Sequence, residues 1–199
     1  MNKVLILFAH PRFEKSKTNR ALLASVDKID GVTLNDLYEQ YPDFNIDVER
    51  EKNLLLAHEV IIWHHPLYMY SAPAVLKQWM DLVLEYGWAH GSQGNALKDK
   101  MIFNALTAGG ARESYAINQH NRFTLREFLV PFEQTATVCK MIYLPPFAVH
   151  GTHLLSDQQL AEQARLYRNL LGRLVAGGLP LGSICTYDYF NDWLSAGEG

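Results

Sequence analysis

The residues that could do chemistry fall into a few short clusters. The first is His10-Pro11-Arg12-Phe13-Glu14-Lys15-Ser16-Lys17-Thr18-Asn19-Arg20, which follows an apolar run and opens a helical pattern. Hydroxyl, amide and cationic groups at a helix start suit an anion, because first-turn N–H groups are unpaired and the dipole favours negative charge. The same residues also read as a plain helix start capped by Ser16, and both readings stand at this point. The second cluster is Pro66-Leu67-Tyr68-Met69-Tyr70, an aromatic loop against which a flat aromatic ligand could lie. The third is Thr107-Ala108-Gly109-Gly110. Paired glycines let a backbone approach a ligand and aim its N–H groups at acceptors, although a simple turn uses the same pair. Tyr115, His120 and Arg122 lie in the polar stretch from Ala111 to Phe123, which is long for a strand-to-helix connection. His150 and His153 resemble half a metal site, but no third ligand follows at a convincing spacing, so no metal is expected. Neither GxGxxG nor GxxxxGK[ST] occurs.

These clusters need a frame that brings them together. Lys3 to Ala9 is a continuous apolar run, the pattern of a strand covered on both faces. Val32 to Tyr38 reads as a second strand, Val60 to Trp63 as a third ending before Pro66, and Lys100 to Thr107 as a fourth. Lys140 to Val149 is a fifth, broken or bent at Pro145-Pro146. Helical patterns alternate with them. One carries Leu22, Leu23 and Val26; one runs from an Asp47 cap to Leu56. A third, with Ser71 as cap and Pro73 in its first turn, carries Val75, Leu76, Trp79, Met80, Val83 and Tyr86 on its stripe. Thr124 to Val138 is helical with a break at Pro131, and a final helix of about 20 residues runs from Ser156 to Gly177-Gly178. This alternation predicts an α/β fold: a single doubly wound, five-stranded parallel sheet in the flavodoxin-like order 2-1-3-4-5, with helices on both faces. Residues 1–178 would form that domain. The aromatic tail, 179–199, with Tyr187, Tyr189, Phe190 and Trp193, would pack on it or on a second subunit.

Composition limits the function classes. The chain has 199 residues, 48% hydrophobic and 20% charged, which suits one globular domain rather than disorder. A formal net charge of -3 offers no basic footprint for nucleic acid. Cys139 and Cys185 have no metal-ligand spacing and read as reduced thiols, which favours the cytosol. The apolar run at Val4 to Ala9 is too short for a signal segment or a membrane span.

Taken together and in order, AHPRFEKSKTN, DLYEQYPDFNID, HHPLYMYSAPAVLKQWMD, YGWAHGSQGNAL, TAGG and LPPFAVHG carry a resemblance. The chain resembles the flavodoxin-like NAD(P)H:quinone oxidoreductase (DT-diaphorase) family. Within it the likeness is greatest to the KefF/KefG ancillary proteins of glutathione-gated potassium efflux systems. The resemblance covers about Val4 to Leu174 and implies a flavin site, with FMN favoured over FAD and NAD(P)H as co-substrate. His10, Ser16, Lys17, Thr18 and Asn19 would hold the phosphate. Pro66, Leu67, Tyr68 and Met69 would line one side of the isoalloxazine, and Thr107, Ala108, Gly109 and Gly110 would offer N–H donors to its polar edge. Tyr115 and His120 would assist proton and charge transfer in catalysis. Tyr68, Tyr70 and Trp88 are candidate aromatic walls, with core packing favoured for Trp88. The implied activity is NAD(P)H dehydrogenase (quinone): two-electron, ping-pong hydride transfer through the flavin to a quinone or similar planar acceptor. The likeness also implies a homodimer and a regulatory role on a potassium efflux antiporter, placing the protein in the cytoplasm or peripherally at the inner membrane through that partner. Two residues depart from the family pattern: Ala108 stands where a second threonine is common, and Met69 where tryptophan is frequent.

Overall fold

The apolar runs of the sequence form the centre of a parallel sheet in the computed structural model, which describes residues 1–197. Strand β1 (Val4–Phe8) lies between β2 (Val32–Asp36) and β3 (Val60–Pro66), and β3 pairs with β4 (Met101–Thr107). Two short strands, β5 (Ile142–Tyr143) and β6 (Phe147–Val149), both pair with β4. Pro145 and Pro146 separate them, since neither can donate to a ladder. The order is β2-β1-β3-β4-β5, with β6 continuing along β4, and every pairing is parallel. The flavodoxin-like order expected from the sequence is therefore the observed one, with the fifth strand divided in two. Phe8 pairs with His64, Pro66 with Thr107, and Thr107 with Val149, so four carboxyl ends meet along one edge.

Strand alternation feeds two cores. Val4, Ile6 and Phe8 face α1 (Lys17–Val26) and α7 (Asp157–Ala176), where Leu22, Val26, Leu170 and Leu174 are buried. Leu5, Leu7 and Trp63 face the other way, into a core shared with α3 (Val48–Leu56), α4 (Ala74–Val83) and α6 (Val130–Val138). The short helices α2 (Leu37–Gln40) and α5 (Leu125–Phe128) precede α3 and α6. After α7 come α8 (Leu181–Ile184) and α9 (Phe190–Ser195), so the helix starting at Ser156 is not the last. Phe190 and Trp193 of α9 are wholly buried against the α7 side of the sheet, and Arg112 grips Asp192 through two 2.7 Å bonds.

Several boundaries differ from the sequence reading for local reasons. β2 stops at Asp36, whose carboxylate caps α2 and draws Leu37 and Tyr38 into a helical turn. β3 runs on through His64 and His65 to Pro66. Ser71 does not cap α4: Pro73 holds that position, and Ser71 exchanges two backbone bonds with Tyr68. Tyr86 lies past the end of α4 and is exposed. The break near Pro131 falls at Leu129, between α5 and α6. Among the described residues no helix is long and apolar enough to cross a membrane.

Candidate active site

The first carboxyl-edge cavity, about 320 Å³, is lined by His10, Arg12, Lys15, Ser16, Lys17, Thr18, Pro66, Leu67, Tyr68, Thr107, Gly109, Thr152 and His153. Its floor is the start of α1. Ser16 caps that helix by accepting from the Asn19 N–H, and the Arg20 N–H is taken by the Ser16 carbonyl. The Lys17 and Thr18 N–H groups have no partner among the described residues and are the first-turn donors left for a ligand. Arg12 and Lys15 add positive charge with no carboxylate partner among the described residues, while Lys17 pairs with Asp157 at 2.6 Å. The arrangement suits a phosphate. Asn19 is buried beneath this floor and does not line it; its amide donates to Ser16 Oγ and Thr107 Oγ1.

His10 stands at the wall. The Arg12 N–H donates to its Nδ1 at 3.1 Å, so the neutral ring carries its proton on Nε2, 3.4 Å from the Tyr68 hydroxyl. Burial lowers its pKa, against the charge of Glu14, which raises it. The neutral ring presents a hydrogen-bond donor at the cavity edge.

A second cavity, about 520 Å³, adjoins the first and shares Leu67 and Gly109 with it. Met69, Tyr70, Gly110, Ala111, Ser114, Tyr115, His120 and Asn121 complete its lining. The Gly109 N–H has no partner among the described residues and is available to a ligand. The Tyr115 phenol lies against Gly110, and burial raises its pKa, so Tyr115 stays protonated at neutral pH. A Cβ on Gly110 would sit 2.9 Å from Ser114 Oγ and 3.1 Å from the Tyr115 ring, so a larger residue there would push these side chains into the cavity they line. Ala108 is different. Its N–H is used by the Val149 carbonyl at 2.8 Å and its side chain lies in the core, so it offers no donor to either cavity. The sequence expectation for Ala108 is corrected: the sheet pairing of β4 with β6 extends one residue further and takes that group.

The loop from Pro66 to Ser71 is held from behind and strained at its tip. Burial pushes the His65 imidazole down to about 4. Tyr143 donates to Asn104 Oδ1 at 2.6 Å, the Asn104 amide donates to His65 Nε2 at 2.9 Å, and His65 Nδ1–H donates to the Pro66 carbonyl at 3.0 Å. A carbonyl can only accept, which fixes the direction of every bond in this chain. At the tip, Met69 and Tyr70 have φ of 46° and 64°, positive at both central positions of a turn closed by Tyr68 and Ser71. Asn-Gly normally fills such a turn, and each non-glycine residue there costs about 1–3 kcal/mol. Met69→Gly is therefore expected to stabilise the protein by about 1 kcal/mol after the glycine's own chain entropy, read as a higher urea midpoint at constant slope.

Residues 2–171 match the sequence model of the Flavodoxin_2 family, described as a flavodoxin-like fold. The chain belongs to this family. Among its relatives, the glutathione-regulated potassium-efflux system ancillary protein KefG of Shigella flexneri serotype 5b (strain 8401) is 43% identical over 176 residues, 88% of this chain and 96% of that protein. The structure of general stress protein 14 from Treponema denticola, in complex with FMN, is 38% identical with a TM-score of 0.81, covering 85% of this chain and 97% of that one. An NADPH-quinone reductase from P. pentosaceus is 34% identical with a TM-score of 0.78, covering 84% and 96%.

In this Flavodoxin_2 chain the two cavities gather most of the residues singled out from sequence. His10, Ser16, Lys17, Thr18, Pro66, Leu67, Tyr68, Thr107 and Gly109 share the first; Leu67, Met69, Gly109, Gly110, Tyr115 and His120 share the second. Trp88 lines neither: it packs under Lys52, 5.3 Å from its ammonium. Thr152 and His153 line the first cavity, although the sequence suggested no ligand role for Thr152 and only half a metal site for His153. Their position just past β6, at another carboxyl end of the sheet, was the available signal. His150 packs on Tyr115 at 5.4 Å between ring centroids; its ring nitrogens are buried with no partners among the described residues, and burial, then the Arg112 charge, pushes it down to about 4.

Proposed function

We propose that this chain is an FMN-dependent NAD(P)H:quinone oxidoreductase. The observation that carries the reading is the pair of joined cavities, one with free helix N–H groups and cations, the other walled by aromatic residues and bearing the unpaired Gly109 N–H. The phosphate would lie on the Lys17 and Thr18 N–H groups, within reach of Ser16 and Arg12. The ring would lie along Leu67 and Met69 with Gly109 at its polar edge. FMN rather than FAD is supported by the FMN complex of the Treponema relative. When bound, the flavin supplies two-electron hydride chemistry, accepting from NAD(P)H and delivering to a quinone in ping-pong order. The protein's own part is to bind, orient and manage charge. Gly109 donates to the ring edge, which favours the negative charge of the reduced cofactor. Tyr68 and Tyr70 flank the face where each planar substrate enters in turn, and Tyr115, with His120 in the same cavity, holds a proton at its phenolic oxygen.

Purified protein reconstituted with FMN is expected to be yellow and to reduce a benzoquinone at the expense of NAD(P)H; a colourless, inactive protein would overturn the reading. Tyr115→Phe is expected to slow single-turnover flavin reduction by about 10²-fold, with FMN affinity kept.

A second reading is favoured by the identity to KefG: the chain is an ancillary subunit that activates a glutathione-gated potassium efflux antiporter from the cytoplasmic side, with or without turnover. Both roles fit one protein. Co-purification with the antiporter supports this role, and potassium efflux unchanged on deletion counts against it. A homodimer is part of either reading. Tyr70, Phe123 and Phe128 form a partly exposed aromatic cluster at the mouth of the second cavity, with the Tyr70 and Phe128 rings stacked at 4.8 Å. A partner seated there would complete the substrate face, and sedimentation velocity tests it.

A further inference from the structure

A chain of side chains runs from the core to the floor of the first cavity. Tyr167 of α7 and His64 of β3 are wholly buried, and Asn19 of α1 is nearly so. The Tyr167 hydroxyl lies 3.0 Å from His64 Nδ1, and His64 Nε2 lies 3.0 Å from Asn19 Oδ1. The Asn19 Nδ2 then reaches Ser16 Oγ at 2.9 Å and Thr107 Oγ1 at 3.1 Å.

Two proton arrangements satisfy the inner bonds of such a chain, one the reverse of the other, because imidazole, amide and hydroxyl groups can each donate or accept. Tyr167 decides between them. Its hydroxyl has no other partner among the described residues, so the reversed chain would leave a buried O–H with nothing to donate to, a penalty carried in full. The phenol therefore donates to His64 Nδ1, His64 Nε2–H donates to Asn19 Oδ1, and the Asn19 amide donates to both hydroxyls. Ser16 Oγ then accepts twice, from the Asn19 backbone and side chain, and Thr107 Oγ1 accepts once. Their own hydrogens are left to the cavity they line.

We propose that Tyr167, acting through His64 and Asn19, sets the polarity of this cradle, turning the Ser16 and Thr107 hydroxyls outward as donors so that it takes a fully ionised phosphate monoester. With the Lys17 and Thr18 N–H groups and the cations Arg12 and Lys15, the Ser16 and Thr107 hydroxyls then add two more donors to the anion's cradle. Tyr167, His64 and Asn19 are positioning residues, and the inference rests on the phosphate reading of the cavity given above.

Removing the Tyr167 hydroxyl frees the chain to reverse. Either direction then leaves His64 Nδ1 unpaired, as a lone pair or as an N–H, so a second population, with the Asn19 amide turned over and Ser16 and Thr107 donating inward, mixes in. The first experiment needs no ligand and no variant: ¹⁵N NMR of the apo protein is expected to show His64 as the neutral Nε2–H tautomer. An Nδ1–H tautomer overturns the proposal. The second compares FMN with riboflavin, which lacks the phosphate. Tyr167→Phe is expected to lower the preference for FMN by roughly tenfold while riboflavin affinity holds. His64→Leu should do the same, and His64→Gln, whose amide can still donate to Asn19, should keep the preference. A Tyr167→Phe protein that folds and keeps the unsubstituted preference overturns the proposal, as does an equal loss of both ligands, which marks a structural role. If the unsubstituted protein binds neither flavin, the proposed function fails by itself. Inorganic phosphate, followed by ³¹P line width, then decides the chain: broadening that is lost in Tyr167→Phe supports it, and broadening that survives overturns it.

Discussion

Glu51→Ala is expected to destabilise the fold by about 3–5 kcal/mol, a large part of a typical domain's margin of roughly 5–15 kcal/mol. Glu51 sits on α3 with no exposed surface. Every group around it donates. Asn35 of β2 reaches both oxygens at 3.1 and 2.9 Å, the Tyr41 hydroxyl lies at 2.6 Å, and the Trp79 indole N–H of α4 lies at 2.8 Å. Arg50 supplies the opposing charge. Burial and then the bond to Glu51 push the Tyr41 phenol up to about 12, so Tyr41 remains a donor across the working pH range. Alanine would strand the Asn35, Tyr41 and Trp79 donors around an empty volume, while Arg50, partly exposed, keeps its bond to Asn35 and turns to water. Glu51→Gln is the sharper comparison. It keeps the shape but turns one acceptor into an NH₂ facing other donors, at an expected cost of about 1–3 kcal/mol. Urea unfolding of both variants measures the order. A Glu51→Ala protein within about 0.5 kcal/mol of the parent would show that the cluster contributes no net stability, since a surface change has that size of effect. The cluster ties β2, the loop at Tyr41, α3 and α4 together, and α4 follows directly on the turn that carries Met69.

The sheet was legible because its strands are buried on both faces. Runs such as Val4 to Phe8 and Val60 to Trp63 need no alternation to be recognised, and the Gly109-Gly110 pair marked where β4 ends. Ser16 was legible as a cap because hydroxyl capping is a local interaction, and the structure shows it. What escaped was non-local. Ser71 satisfies the local rule for an N-cap, yet its backbone is taken by Tyr68 in a turn with two residues at positive φ, a conformation that Met69 and Tyr70 give no hint of. Ala108 reads as part of a glycine turn, but its N–H is claimed by Val149, about 40 residues away, through a strand pairing that only the closed sheet creates. The His64-His65 pair is the clearest case. In sequence it is two polar residues ending an apolar run, a pattern that suggests exposure. In the fold the two rings fall on opposite faces of the sheet, each neutral and wholly buried, with burial pushing His64 down to about 3. One braces the helix start beneath the first cavity and the other braces the Pro66 carbonyl. Their partners, Asn19, Tyr167, Asn104 and Tyr143, come from four other segments of the chain, so no local pattern could pair them.

Thr18→Glu should separate binding from stability most cleanly, costing the proposed FMN site about a hundredfold or more in affinity while the fold holds. Thr18 occupies the second position of α1, where its N–H is one of the two free donors and its side chain lines the first cavity. A carboxylate in the first turn gains about 0.3–1 kcal/mol from the helix, set against the cost of placing it at a position buried except where it meets the cavity. The same carboxylate would take the Lys17 and Thr18 N–H groups for itself and neutralise Arg12 or Lys15. A phosphate arriving there would meet a like charge, which costs several kcal/mol, and each ~1.4 kcal/mol is tenfold in affinity. Riboflavin carries no such charge and should bind to within a fewfold of the parent. Titrating both ligands by flavin fluorescence, alongside thermal melts, gives three distinguishable results. Loss of FMN alone places the phosphate on this helix start. Equal loss of both ligands marks a collapsed ring cavity. FMN binding at parental strength would mean that the anion lies elsewhere, and the free N–H groups of α1 would then be facing solvent rather than a cofactor.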